Sequence, residues 1–493
     1  MAQTKQLVTS PATKVESSFK DRSNLALVVI VIGVLMAAVD TTIVVLALPQ
    51  IQKALKVPLS EVVWVIISYL LVITVLATQV GKMGDMFGRV KTYEAGFLIF
   101  IVGSALCALA FNEWSMIVFR VIQGIGGALI TANSGAVIAD TFPPEKRGRA
   151  FGFNAIGWNA GAILGILLGG LIINYISWRW IFWINIPAGL TSFALALKVL
   201  HDKGQKNPQR FDLLGMVSLA VGLFGVLWGI TKLSTQNFSV SVGSFLIGGI
   251  VLLGVFVFVE LNVKAPMLNF KLFKYETVSP TLMASFFQAV ANFAVLFLII
   301  MYLQGVRNLT PLHASLLLVP GYLIGGIAGP IAGRLADKLG PVLPATAGLG
   351  VQIIALFIYA QLNVSTPLWV VVVASVVNGI GGGMFFPANN SAIMKAVPGD
   401  IFGIASGLIR TFANVGMVFS FAVAILVAGR SIPKKLAFAI FVGTHSLKHN
   451  LGEIFSSGIH SAFYASAAFM AIAAILSATR FLTHLKRLRS LKD

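Results

Sequence analysis

The sequence predicts an all-α polytopic membrane protein of fourteen transmembrane helices: two six-helix bundles with an extra helix pair inserted between them. Three observations carry this. Of 493 residues, 57% are hydrophobic and only 11% charged, with a mean hydropathy of +0.90, more apolar surface than a soluble domain can bury. Fourteen apolar runs are each long enough to cross a bilayer. A turn motif also occurs twice. Gly81-Lys-Met-Gly-Asp85-Met-Phe-Gly88 is echoed 252 residues later by Gly333-Arg-Leu-Ala-Asp337-Lys-Leu-Gly340, each copy between two apolar runs, the mark of an internal duplication.

In chain order the runs fall at about 25–48, 62–80, 92–111, 115–138, 150–173, 178–198, 212–232 and 243–260, then 278–303, 312–333, 342–361, 367–390, 402–428 and 459–480. The motif turns follow spans 2 and 10. Six helices with their loops occupy roughly 190 residues, so the larger offset leaves about 60 over, the size of a helix pair. The expected organisation is a polar N-terminal segment 1–24, a six-helix bundle 25–199, inserted helices 7 and 8 with their linkers in 200–275, a second bundle 276–480, and a basic tail 481–493.

The net charge of +19 reads as topology, not as a nucleic-acid surface. With the N-terminus inside, 25 of the 36 Lys and Arg lie in cytoplasmic segments and 9 in outer loops, the expected positive-inside bias. Both termini are therefore expected in the cytoplasm and the chain in the plasma membrane. The outer loop 429–458 is long and basic, with an apolar stretch at Leu436–Val442 that suggests a short helix or hairpin. The tail continues span 14 as a basic amphipathic end on the inner leaflet. Residues 1–24 lack a cleavage-site pattern, so the first run is expected to be retained. A single cysteine, Cys107, excludes an internal disulfide and a cysteine metal site. His445 and His449 sit four apart, in what is far more simply a solvated loop; no metal and no cofactor are expected.

In the motif turn the glycines allow close approach, and Asp85 is expected to accept backbone N–H groups from a helix N-terminus. Within the spans, Asp40, Arg120 and Arg410 stand out, because an ionisable group at bilayer depth costs about 2.5–3.5 kcal/mol on insertion scales. Asp40 lies roughly 22 Å from the inner end of span 1, and Arg120 roughly 8 Å from the outer end of span 4, so the two can pair in the outer half. Desolvation and a neighbouring guanidinium push a carboxyl in opposite directions, the balance a proton-coupling site needs. The plainer alternative is a static clip pinning two helices. Aligning Gln123-Gly-Ile-Gly-Gly with Asn378-Gly-Ile-Gly-Gly places Ser375 opposite Arg120, so the charged chemistry is concentrated in the first half. The glycine ladder of span 5, Gly157, Gly161, Gly165, Gly169 and Gly170, needs a close partner, and the glycine-rich span 10 is the expected one. Polar and aromatic residues near midplane are candidates for a ligand cavity: Asn154, Trp158, Asn159, Gln288, Asn292, Asn389, Asn390 and Asn414.

The two turns resemble those of the major facilitator superfamily, and further motifs point to its fourteen-helix drug:proton antiporter branch. These are Asp40-Thr-Thr-Ile-Val-Val-Leu-Ala-Leu-Pro49, Arg120-Val-Ile-Gln123-Gly124-Ile-Gly126-Gly127-Ala128, the ladder of span 5, and the segment from Glu260 through Pro266 to Phe273. Where the antiporter motif usually carries proline, this chain has Ile166. The resemblance implies that the first motif turn locks against the start of a late helix when the transporter faces outward. Asp85, Arg89, Asp140 and Arg410, with Asp337 in the repeat, are the candidates for that latch.

The function expected is a proton-coupled exporter of lipophilic compounds, cationic ones included, working by alternating access. Small lipophilic substrates, protons and membrane lipid are its expected partners, and a monomer its expected state. No Gly-x4-Gly-Lys-Ser/Thr phosphate loop is present, so ATP does not drive it by that route. An exporter or flippase of an anionic metabolite or lipid is the alternative; an enzyme or sensor fits less well, since the spans hold no cluster of His and acidic residues. The topology is testable by cysteine labelling in a Cys107-free background. A cysteine at position 440 is expected to react with impermeant reagent from outside, and protection there would overturn the fourteen-span count.

Overall fold

The computed structural model describes residues 11–202, 211–263, 266–268, 270–398, 402–431 and 449–489. Fourteen helices among them are long and apolar enough to span a membrane, the sixth only when α6 is taken together with the helical turn before it, as Trp180–Val199. They are α1 (Pro11–Leu55), α2 (Trp64–Phe87), α3 (Arg89–Ala108), α4 (Glu113–Thr141), α5 (Pro144–Tyr175) and α6 (Asn185–Val199), then α7 (Leu213–Thr235) and α8 (Val240–Asn262). The second half follows as α9 (Val278–Ile300), α10 (Pro311–Leu339), α11 (Val342–Tyr359), α12 (Leu368–Ala396), α13 (Phe402–Ser431) and α14 (His449–Arg489). A short turn of helix, Trp180–Trp183, leads into α6, and a π-helical turn, Met301–Val306, extends α9. Most connections among the described residues are short, which suits antiparallel neighbours. The segment 432–448, with its expected short helix and His445, lies outside the described residues.

Helix starts follow their capping chemistry. Asn112 and Ser115 form a reciprocal capping box at α4, Asp212 accepts the Gly215 N–H at α7, and Thr310 caps α10 just before Pro311. The two motif turns share one backbone device: their last glycines, Gly88 and Gly340, have φ of +105° and +83°. A side chain is strained there, which is why the motif must end on glycine. The acceptor at the first turn differs from expectation. Asp202, after α6, accepts the Val90 N–H at 2.9 Å and the Lys91 N–H at 3.3 Å, while Asp85 is engaged by Arg89. Asp85 is drawn to the guanidinium beside it, leaving the α3 terminus to a carboxylate arriving from another loop.

Glycine also decides which helices touch, and here the expectation for span 5 is corrected. Gly157, Gly161, Gly165 and Gly169 face α1: a Cβ at Gly161 would come within 2.7 Å of both Ala38 Cβ and Leu35 O. Of the ladder, Gly170 alone meets α10, against Ser315 and Leu312. The glycines of α10 are used instead against α12, where Gly325 packs on the Gly379 backbone and Gly321 on Ser375. Each half thus closes on its own pair of small-residue helices, and the two pairs meet where α5 lies against α10.

The halves meet on the face opposite the motif turns. There Gly170 reaches Ser315, and Gln304 Nε2 donates to Leu46 O at 3.3 Å. On the motif face the ion pairs stay within a half: Arg89 with Asp85 and Asp140, and Lys395 with Asp337. The inserted pair packs against α2 and α13. Trp64 donates to Thr231 Oγ1 at 3.2 Å within an aromatic cluster of Phe224 and Trp228, and Ser234 lies against Gly429.

Substituting valine at Gly161 is expected to destabilise the protein by about 1–3 kcal/mol through overpacking. Gly254→Ala, where a Cβ meets open space, should leave stability unchanged. Melting temperatures in detergent compare the two; equal values would refute the close α1–α5 seam.

Candidate functional site

The sealed ionic centre of the first half is built from α1, α2, α3, α4 and the start of α6. Asp40 and Arg120 are 0% and 1% exposed. Arg120 Nη1 donates to Asp40 Oδ2 at 2.7 Å, its Nε donates to the Val65 carbonyl at 2.8 Å, and its guanidinium stacks over the Tyr69 ring at 4.2 Å. Gln123 completes the centre. Its Nε2 donates to Asp40 Oδ1 at 2.8 Å, and its Oε1 accepts from Arg120 Nη1 at 2.7 Å. Around it, Ser104 accepts from Gln123 and from Asn185 and donates to Phe182 O, while Cys107 lies 3.6 Å from Gln123 Oε1. Both carboxylate oxygens are therefore bonded and dry.

The expected pairing of Asp40 with Arg120 is what the geometry shows. Gln123 was missed as a participant, although its place one helical turn after Arg120 puts both on one face. Ser104 and Asn185 carry no signal of their own in the sequence. Gly103 explains the closeness of α3 and α4, because a Cβ there would strike the Gln123 backbone.

The second half carries a neutral counterpart. Gln288 Nε2 donates to Gln352 Oε1 at 3.2 Å, and Gln352 Nε2 donates to Asn378 Oδ1 at 3.4 Å, with Gln288 and Gln352 fully buried. Ser375, which aligns with Arg120, donates to Leu318 O, much as Arg120 does to Val65 O. Amides stand where the first half has its ion pair.

Of the latch residues, Arg89 joins Asp85 at 2.9 Å and Asp140 at 2.8 Å. Asp337 lies 4.0 Å from Lys395, and Lys395 is the repeat position of Asp140 with the sign reversed. Arg410 stands apart from both groups. Its side chain is exposed. Among the described residues Asp85 and Asp140 pair with Arg89, and no ion pair joins either to Arg410.

The cavity candidates divide. Asn389 is withdrawn: it accepts from Arg480 Nη1 at 3.0 Å and donates to Ser285 Oγ at 2.7 Å. Gln288 belongs to the amide chain. Asn154 and Asn292 each hold a buried carbonyl oxygen without a partner. Trp158, Asn159 and Asn390 are exposed, and Asn414 is half-buried. Arg480, the last residue of span 14 in the sequence, is 2% exposed inside α14, bonded to Thr281, Ser477 and Asn389.

The Major Facilitator Superfamily model matches residues 30–421. The chain belongs to that superfamily. It is 29% identical to the tetracenomycin C resistance and export protein of Streptomyces glaucescens, over 84% of this chain and 78% of that one. It is 30% identical to the drug efflux pump JefA of Mycobacterium tuberculosis, over 81% and 79%, and 29% identical to the riboflavin transporter RibZ of Clostridioides difficile, over 81% and 86%. Among solved structures it is similar to a bacterial homologue of the human lysosomal transporter Spinster, in an inward-facing and unoccupied conformation. That match has a TM-score of 0.67 at 16% identity and covers 94% of this chain and 98% of the other. The protein is a transporter, not an enzyme.

Arg120→Ala is expected to cost about 3–5 kcal/mol, because it strands a buried carboxylate. Asn378→Ala in the neutral chain should cost nearer 0.6 kcal/mol, the average for a hydrogen bond between membrane helices. Thermal unfolding of the two variants in one detergent tests the ranking, and a milder Arg120→Ala would mean the pair is not sealed.

Proposed function

We propose that this transporter exports lipophilic compounds in exchange for protons, by alternating access in the plasma membrane, as a monomer with both termini and the motif face in the cytoplasm. The observation that carries the reading is the Asp40–Arg120–Gln123 centre. It is the one carboxylate–guanidinium pair sealed within the spans among the described residues, and both carboxylate oxygens depend on donors from a single helix. A small displacement of α4 against α1 would take both donors away together. The carboxylate would then be left in a low-dielectric site, where it binds a proton. Return of the donors expels the proton, so proton uptake and helix position are two sides of one equilibrium. The drug-exporting relatives support the export direction, and the union of the halves on the face opposite the motif turns supports an inward-facing state.

A second reading, export of an anionic compound, is favoured by one observation: Arg410, within span 13, is exposed and has no ion pair among the described residues. Paired efflux measurements with an acidic and a cationic dye separate the two.

The coupling is tested in vesicles with an imposed pH gradient. Asp40→Asn should abolish gradient-driven efflux while retaining binding of neutral ligands, because the amide cannot release a proton. Arg120→Lys, which keeps the charge but loses the planar fork, should also lose coupling. A well-folded Asp40→Asn protein that still concentrates substrate, driven by pH alone, would sink the proposal.

A further inference from the structure

The inserted helix pair carries a buried polar contact that the transport reading leaves unused. At the start of α7, Asp212 is 4% exposed; at the end of α8, Glu260 is 3% exposed. Each has one oxygen bonded to backbone: Asp212 Oδ1 accepts the Gly215 N–H at 2.8 Å, and Glu260 Oε2 accepts the Leu268 N–H at 2.8 Å. The other oxygens, Asp212 Oδ2 and Glu260 Oε1, are buried without a donor, and the antiparallel register of α7 on α8, with Gly222 on Leu253 and Gly225 on Gly249, brings the Asp212 cap alongside Glu260.

Two ionised carboxylates this close repel without a solvent shell to screen them, whereas one proton between them gives each orphan oxygen a partner. The cation beside them is Lys82, on the far end of α2, which acts on both carboxyls and whose Nζ donates to Pro266 O at 3.4 Å. Burial pulls the Lys82 ammonium below its usual range, while Asp212 and Glu260 hold it up. An ammonium at this distance disfavours a divalent cation in the same place and suits a pair bearing a single negative charge.

We infer that Asp212 and Glu260 form a second proton-binding site, holding one proton between them and so tying the inserted pair and the α8–α9 linker to the motif turn. Lys82 lies inside that turn, between Gly81 and Gly84, and Pro266 and Leu268 lie inside that linker. The site therefore joins three segments that must shift if the halves rock. The proton comes from water on the motif face and returns there when the carboxyls part. Loss of the proton leaves two negative charges in a dry contact, which drives α7 and α8 apart and frees the linker.

The protonation stands independently of the transport reading; its effect on conformation rests on it. Infrared difference spectra of the full chain in nanodiscs, recorded across a pH titration in an Asp40→Asn background, read the protonated carboxyl directly. The titrating carboxylic C=O band should be present there and lost on adding either Glu260→Gln or Asp212→Asn. A band that persists in both variants, or no titrating band at all, overturns the site. Spin labels at Lys91→Cys and Lys338→Cys, on exposed positions of the two motif turns, read the link to conformation. The distance change with pH should vanish in Glu260→Gln and survive in Asp40→Asn. A change that survives unaltered in Glu260→Gln overturns the link. Failure of vesicle efflux with the infrared band intact would count against the transport reading alone.

Discussion

A guanidinium and a carboxylate persist in a bilayer interior only when their donors and acceptors are used, and that constraint shapes the first half of this protein. Arg120 reaches a carboxylate, an amide oxygen and a backbone carbonyl on three helices, and covers its remaining face with the Tyr69 ring. No other placement of α1, α2 and α4 offers these partners together. The glycines beside them follow from the same demand. Gly103 lets α3 lie on the Gln123 backbone, and the ladder of α5 lets α1 be held from the other side. Close backbones bring short side chains within reach, and reach is what keeps the charge affordable in hydrocarbon.

The inserted pair is attached by polar anchors at both ends. On one face Trp64 bonds Thr231 and Lys232 meets Glu61 at 3.2 Å; on the other Lys82 bonds the linker beside Glu260. Since α2 and the turn just before it supply the partners, α7 and α8 are tied to the first half, and through Ser234 and Gly429 to α13.

The fold was legible because bilayer physics writes it in hydropathy and glycine: fourteen apolar runs became fourteen helices, and the doubled motif marked two turns with the same unusual backbone. The Asp40–Arg120 pair was legible because charges at similar depth in a membrane have few other options. What escaped was lateral. Depth along a helix can be counted in residues, but which face meets which neighbour cannot, so the α5 ladder was assigned to α10 when it packs on α1. Gln123 went unnoticed because an amide in a span is ordinary until its partner is known. Arg480 escaped because hydropathy measures where apolar residues end, not where the surrounding helices do. Asp212 and Glu260 lie 48 residues apart at the rims of their spans, where acidic residues attract no suspicion.

The amide chain of the second half has a bearing on how force is generated. Gln288, Gln352 and Asn378 neither gain nor lose protons in the physiological range, so the core they join keeps the same charge whatever the pH on either side of the membrane. If the proposed coupling at Asp40 holds, the second half is in mechanical terms the stator: a body whose internal cohesion does not answer to the proton supply. A proton arriving at Asp40 would then distort one half against an unyielding other. Were both cores ionisable, the same proton gradient would loosen the two bodies at once, and much of its work would be lost as internal deformation instead of appearing as rotation of one body against the other.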